Sequence, residues 1–316
     1  MLAHLAASTF ARHLSRLLAA ALLAVAGAAQ GATLTAIHDF RYLANNQFPA
    51  LVYEFEGLAF TNDGSLWASI AANPSGAAKE FWKLDLLSNN FADKIPDTVF
   101  GLLGNPVALA GAGPQLIVGE NFHQFGNVIW AFTPGVNGNN PDWSFLLNAN
   151  TCGQVEGAAF AGGKLYVTCQ NDGTILKIEP VTGTVLGSFS LGAQLLGLEM
   201  MDNTHLLVGD YSHHKLLVFD LGTGQVTDSI DLASLFVGYS VEVTKDDWRT
   251  IPDPDGLAYR NGTIYMSFDG DLRIFEITTG APGAGAVPEP GTLALLGLAL
   301  FALAALRFPA SRRRKQ

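Results

Sequence analysis

The sequence predicts an all-β protein: a single β-propeller of five four-stranded blades, or six if an insertion hides one, closed by its N-terminal strand and followed by a C-terminal apolar helix. Three observations carry this expectation. Residues 154–191, QVEGAAFAGGKLYVTCQNDGTILKIEPVTGTVLGSFSL, read as four short strands broken at Gly162-Gly163, Asn171-Asp172-Gly173 and the turn from Pro180 to Gly183. Gly-Gly and Asp-Gly between alternating β-branched runs are strong hairpin signals. The same grammar returns at intervals of roughly 40 to 60 residues, the spacing of propeller blades. Finally, the last unit shows only three strands, DGLAYR, TIYMSF and LRIFEI, while a lone strand, TLTAIHDF from Thr33 to Phe40, stands before the first unit. That strand supplies the missing fourth, and closing the ring in this way removes exposed sheet edges.

The inner strand of each blade carries a recognisable phrase. It appears as Glu56-Gly57-Leu58-Ala59-Phe60, Asn105-Pro106-Val107-Ala108-Leu109, Glu156-Gly157-Ala158-Ala159-Phe160, Leu196-Gly197-Leu198-Glu199-Met200 and Asp255-Gly256-Leu257-Ala258-Tyr259. A second strand follows each: SLWASI, QLIVGE, KLYVTC, HLLVGD and TIYMSF. Insertions interrupt the spacing at 71–79, 120–127 and 135–142, and the longest, 233–252, separates the fourth and fifth blades. Long loops on a rigid scaffold are where function tends to sit. Trp67, Trp82, Trp130, Phe132 and Trp143 fall on strands and read as packing between blades.

The two ends of the chain have a different character. Residues 1–32 place Arg12 and Arg16 before the run LLAAALLAVAGAA and a small-residue stretch, the layout of a secretory signal peptide. The propeller is expected over 33–280, and 281–290 is a Gly/Ala/Pro linker with no means of forming a core. Residues 291–316 hold the apolar segment GTLALLGLALFALAAL and a basic end with Arg312-Arg313-Arg314-Lys315, which reads as a transmembrane helix with a cytoplasmic tail.

Residues 33–286 hold 27 Asp and Glu against 11 Lys and Arg, a net of −16. A body so acidic repels nucleic acid and anionic lipid, and long-range steering favours cations. Cys152 and Cys169 are the two cysteines, both in the central blade, and export makes a disulfide between them the expected state.

Inner strands start on the rim where second strands end, so residues at those positions converge around one mouth of the ring. By this reading Glu56, Asn105, Glu156 and Asp255 meet Glu120, Asn121, Asp210 and Asp269. Of these, Glu56, Glu156, Asp210 and Asp255 are the candidate ligands, because oxygen-only donors suit Ca²⁺ or Mg²⁺. The competing account is that the acid before each glycine caps the turn by accepting backbone N–H bonds. His123 lies on an inserted loop near this mouth as a candidate base or substrate contact, and His213-His214 sits on a turn. No GxSxG nucleophile elbow or phosphate-binding glycine loop occurs in the sequence.

Two family resemblances follow from these residues. Val287-Pro288-Glu289-Pro290-Gly291, then a short apolar helix, then an arginine cluster, resembles the PEP-CTERM sorting signal. That resemblance implies recognition of Pro288, Glu289 and Pro290 by an exosortase-type enzyme, removal of the helix and tail, and delivery to the envelope, surface or extracellular matrix of a Gram-negative bacterium, with an exopolysaccharide or surface protein as partner. The body resembles the SMP-30/gluconolactonase-like and NHL-type propellers in Glu56-Gly57, Pro254-Asp255-Gly256-Leu257 and KIEPVTGTVLGSF. In the lactonase family, Glu, Asn and Asp before glycine hold a divalent cation for lactone hydrolysis, which implies that role for Glu56 and Asp255. Two features depart from that pattern: Leu196 precedes Gly197 where Asn is expected, and five blades stand against that family's six. The sequence therefore supports an exported binding module, with a cation-dependent lactonase or esterase as the alternative.

Overall fold

A computed structural model describes residues 31–43, 52–73, 80–96, 105–122, 126–237, 241–244, 247–249, 253–268 and 271–279. The expected signal peptide, linker, sorting motif and apolar helix, and His123 and Asp269 with them, lie outside the described residues. Among the described residues no helix is long and apolar enough to cross a membrane.

Residues Gly31–Thr279 form one compact unit. Five four-stranded antiparallel sheets follow one another as blades, which settles the number at five. The first contains β2 (Val52–Phe60), β3 (Leu66–Asn73), β4 (Glu80–Asp85) and β5 (Asn90–Pro96); the second, β6 (Asn105–Ala112), β7 (Gln115–Phe122), β8 (Gly126–Phe132) and β9 (Trp143–Leu147). The third contains β10 (Val155–Ala161), β11 (Lys164–Cys169), β12 (Thr174–Ile178) and β13 (Val185–Ser190); the fourth, β14 (Leu195–Met200), β15 (His205–Asp210), β16 (Lys215–Asp220) and β17 (Gln225–Asp231). The fifth is composite. Strands β20 (Leu257–Arg260), β21 (Thr263–Met266) and β22 (Arg273–Thr278) take their outer partner from β1 (Thr33–Asp39), paired from Thr33↔Thr278 to Asp39↔Arg273.

The hairpins turn through residues with a positive φ, most of them glycine. Gly162 and Gly163 turn β10 into β11 at φ 56° and 72°. At the equivalent turns of the third and fourth blades, Gly173 and His214 adopt φ 59° and 51°. Left-handed backbone costs glycine nothing and costs other residues about 1 kcal/mol or more.

The core is distributed between blades rather than within one centre. Five buried clusters occupy the five interfaces: Phe55, Trp82 and Ile274 join the fifth blade to the first; Trp67, Phe81, Trp130 and Phe132 join the first to the second; Ile117, Val155 and Val167 join the second to the third; Tyr166, Leu198 and Phe219 join the third to the fourth; Leu207, Leu257 and Phe275 join the fourth to the fifth. Alternation along the inner strands sends one set of side chains to the preceding blade and the other to the following one. Both faces of every inner strand are thus buried, which explains their near-continuous apolar runs.

Three expectations about loops change. The stretch 233–252 is not a plain loop: α1 (Leu232–Leu235) begins just before it, capped by Asp231, and β18 (Val241–Thr244) pairs with β19 (Asp247–Arg249) inside it. Most of 120–127 is strand, because β7 extends to Phe122 and β8 starts at Gly126, so the described part of this insertion lengthens a hairpin. A 3-10 turn at Asn137–Asn139 interrupts 135–142.

Candidate functional site

The backbone register revises the mouth. β2 begins at Val52, so Glu56 does not precede its strand; with Gly57 it occupies a bulge between Phe55 and Leu58. Glu156 sits in the same bulge of the third blade, between Val155 and Gly157, and Leu196 in that of the fourth, between Leu195 and Leu198. In the second blade the bulge lies between Pro106 and Ala108, which puts Val107 there. Asn105 therefore does not correspond to Glu56; it pairs with Asn121, one step further out. The bulge positions thus read Glu56, Val107, Glu156 and Leu196, and Asp255 precedes Gly256 in the fifth blade. Opposite them, Ile70, Glu120, Cys169 and Asp210 hold the second-strand positions. Acids alternate with apolar residues where the sequence suggested a continuous acidic ring.

Most of these acids are buried. Glu120 is 4%, Glu156 8%, Asp210 3% and Asp255 9% exposed. Burial of a carboxylate costs several kcal/mol unless it is hydrogen-bonded. Asp210 accepts the backbone N–H of His213 at 3.1 Å and faces its ring Nδ1 at 2.8 Å. Glu156 accepts from the side-chain amide of Gln154. Next door, His214 Nδ1 stands 3.4 Å from Asp253, which is also buried. Among the described residues, no three His, Cys, Asp or Glu side chains gather closely enough to hold a metal ion.

The glycine of each phrase has a role that the pattern alone did not show. Beside Gly57, the Ser69 hydroxyl lies 2.7 Å from the amide N–H, and the equivalent Ser267 receives the N–H of Gly256 at 3.0 Å. In the third blade Thr168 takes the same place but donates instead to the neighbouring fourth blade, to Leu196 O at 2.6 Å. These bonds satisfy backbone groups that the bulges release from the ladder.

Around the approach to the third blade, Cys152 and Cys169 form a disulfide. Asn127, fully buried on β8, donates to Cys152 O at 2.8 Å and accepts the N–H of Val155 at 3.1 Å. One amide side chain thereby fixes how the second blade hands the chain to the third. At the seam between the last and first blades, Asp271 and Arg273 form a buried pair, with the guanidinium 5.9 and 5.8 Å from the Phe268 and Phe275 ring centres. Burial pushes the Asp271 carboxyl up despite this partner.

One further carboxyl escaped the sequence reading. Positions paired with Trp67, Ile117, Tyr166 and Tyr265 are Ala59, Ala110, Ala159 and Ala258, all fully buried; the fourth blade has Glu199 opposite Leu207. Burial pushes its pKa up to about 8, and the Met200 N–H donates to it at 2.7 Å. The signal was present in the aligned phrases, where Glu stands alone among alanines.

On the face opposite the mouth, the first and last blades leave a cleft of about 510 Å³. Phe60 and Tyr265 contribute aromatic walls in edge-to-face contact, with ring centres 5.1 Å apart. Arg260 lies across it, 5.3 Å from the Phe60 ring centre, and donates to Gly64 O at 2.8 Å. Lys83 and Asp85 are also in the lining.

Fold and register together define the class: a five-bladed β-propeller closed by its N-terminal strand. Residues 286–314 match the PEP-CTERM protein-sorting motif, so this propeller carries the signal that implies export and processing by an exosortase-type enzyme. Comparison with curated proteins finds no match. Among solved structures, the chain is similar to Myxococcus xanthus glutaminyl cyclase at 18% identity and a TM-score of 0.56, over 78% of this chain and 95% of that one. The WD40 propeller domain of Doa1 matches at 12% identity and a TM-score of 0.45, over 78% of this chain and 97% of that one. At such identities the likeness to the cyclase concerns the fold alone.

Proposed function

We propose that the protein is an exported propeller, sorted through residues 286–314 to the cell envelope or its surroundings, where the ring serves as a binding module. The single observation that carries the reading is a sorting motif in the same chain as one closed, self-contained ring. A rigid scaffold of this kind suits display of a recognition surface. The chain divides accordingly into a signal peptide at 1–32, the propeller at 33–280, a linker at 281–290 and a sorting helix with its tail at 291–316. Partners include the sorting enzyme and a surface ligand such as an exopolysaccharide.

The alternative, hydrolysis of a lactone or ester over Ca²⁺ or Mg²⁺ at the mouth, requires the carboxylates to converge. What favours the binding module is that Val107 and Leu196 stand in the second and fourth blades where the first and third have Glu56 and Glu156.

The test follows the chain in cells. With Pro288, Glu289 and Pro290 replaced by alanine, the protein is expected to remain in its unprocessed, membrane-associated form, whereas the parent appears shortened at the envelope or outside the cell. Identical processing of both would overturn the sorting reading. Calcium titration by calorimetry separates the two functional readings: the binding module shows no site lost on Asp255→Asn.

A further inference from the structure

We propose that the cleft between the first and last blades is a binding site for a small organic carboxylate that presents a flat, weakly polar face. This rests on the binding-module reading and names its site and ligand class.

The body is strongly acidic, with only 11 Lys and Arg in residues 33–286, yet Arg260 and Lys83 both line this one cleft. Two acids lie nearby; each is bonded within its own loop, and Asp63 also faces Lys83. Asp85 accepts the Leu87 N–H at 3.0 Å and the Ser88 hydroxyl at 2.7 Å. Asp63 accepts from the Thr61 hydroxyl at 2.7 Å, the Ser65 hydroxyl at 2.7 Å and the Ser65 N–H at 3.1 Å. These bonds hold both carboxyls below their usual range.

The cations are less committed. Lys83 has a loose contact of 3.7 Å to Asp63, and Arg260 spends one of its five N–H donors on Gly64 O. A guanidinium held by one bond and by an aromatic face presents its remaining donors as a fork, the geometry that matches a carboxylate. Phe60 and Tyr265 then supply walls against which a planar or saccharide ring can lie. Burial, with Glu276 nearby, pushes the Tyr265 phenol up.

The position matters as well as the chemistry. Phe60, Lys83 and Asp85 belong to the first blade, and Arg260 and Tyr265 to the last. A ligand held there bridges the closure of the ring and stabilises it by mass action.

The experiment titrates the purified full chain with glucuronate, phenylacetate and, as a neutral control, glucose, reading calorimetry and thermal melting. At least one acid is expected to bind with a dissociation constant of about 0.1–1 mM and to raise the melting temperature. Lys83→Gln and Arg260→Gln should each weaken it about tenfold, as loss of one charged hydrogen bond does. Lys83 is partly exposed and outside the buried clusters, so Lys83→Gln guards against misfolding of the arginine variant. Acid binding that persists in both variants, glucose binding as tightly as the acids, or no binding of any of the three would overturn the proposal. Correct sorting with no acid binding would reject the cleft alone and leave the surface-module reading standing.

Discussion

A Cβ placed on Gly197 of the fourth blade would stand 2.3 Å from the carbonyl oxygen of Asp255 in the fifth. The same crowding runs round the ring: a Cβ on Gly57 would lie 2.7 Å from Leu109 N, on Gly157 2.5 Å from Leu196 O, and on Gly256 2.6 Å from Glu56 O. In the second blade the contact shifts to Gly119, whose Cβ would meet Val155 at 2.8 Å. Inner strands of a five-bladed ring converge on a narrow centre, and glycine at these points lets one backbone pass against the next. The acid–glycine phrase is thus, first, a closure device.

Gly157→Ala is expected to destabilise the protein by about 3 kcal/mol or more, because the clash is with backbone that cannot move alone. Gly187 is the control: nothing lies within 4 Å of its Cβ, and alanine there should change stability by less than about 1 kcal/mol in either direction. Urea denaturation of the two variants beside the parent reads the difference. Equal midpoints would refute the closure role.

Glu199 gives the ring a pH dependence. Its carboxyl is raised from 4.5 to about 8 in the folded state, so the native state holds a proton that the unfolded chain releases. The contribution is fully present below about pH 4.5 and is lost as the pH rises toward 8. Because the side chain keeps some exposed surface, the expected gain of Glu199→Gln at pH 8 is modest, about 1–2 kcal/mol. Melting curves from pH 5 to pH 8.5 should fall less steeply for the variant. Parallel curves would mean that the carboxyl ionises freely in the fold.

The disulfide between Cys152 and Cys169 closes a loop with a separation of 17 residues. Chain-entropy arguments assign a loop of that size about 3 kcal/mol. Cys152→Ser with Cys169→Ser should lower stability by that order without changing the number of blades, since Asn127 still anchors the approach to Val155. Far-ultraviolet dichroism that survives while the urea midpoint drops is the expected pair of results.

The sequence by itself determined the blade as a unit, because alternation and turn chemistry are local. Gly162-Gly163 and Asp172-Gly173 announce hairpins wherever they stand, and the lone strand at Thr33 with a three-stranded last blade announces closure. The sorting motif was legible for the same reason: residues 286–314 carry it as a contiguous string. Tertiary structure alone decided what the mouth is made of. Strand pairing put Val107, two residues beyond Asn105, at the position equivalent to Glu56, and an early start of β2 at Val52 drew Glu56 into the strand. It also decided the cleft, where Phe60 and Tyr265 lie about 200 positions apart in the chain and meet only because the ring closes. Spacing reports what neighbours along the chain can do; which blade faces which, and whether carboxylates converge, depends on packing across interfaces that no local pattern encodes.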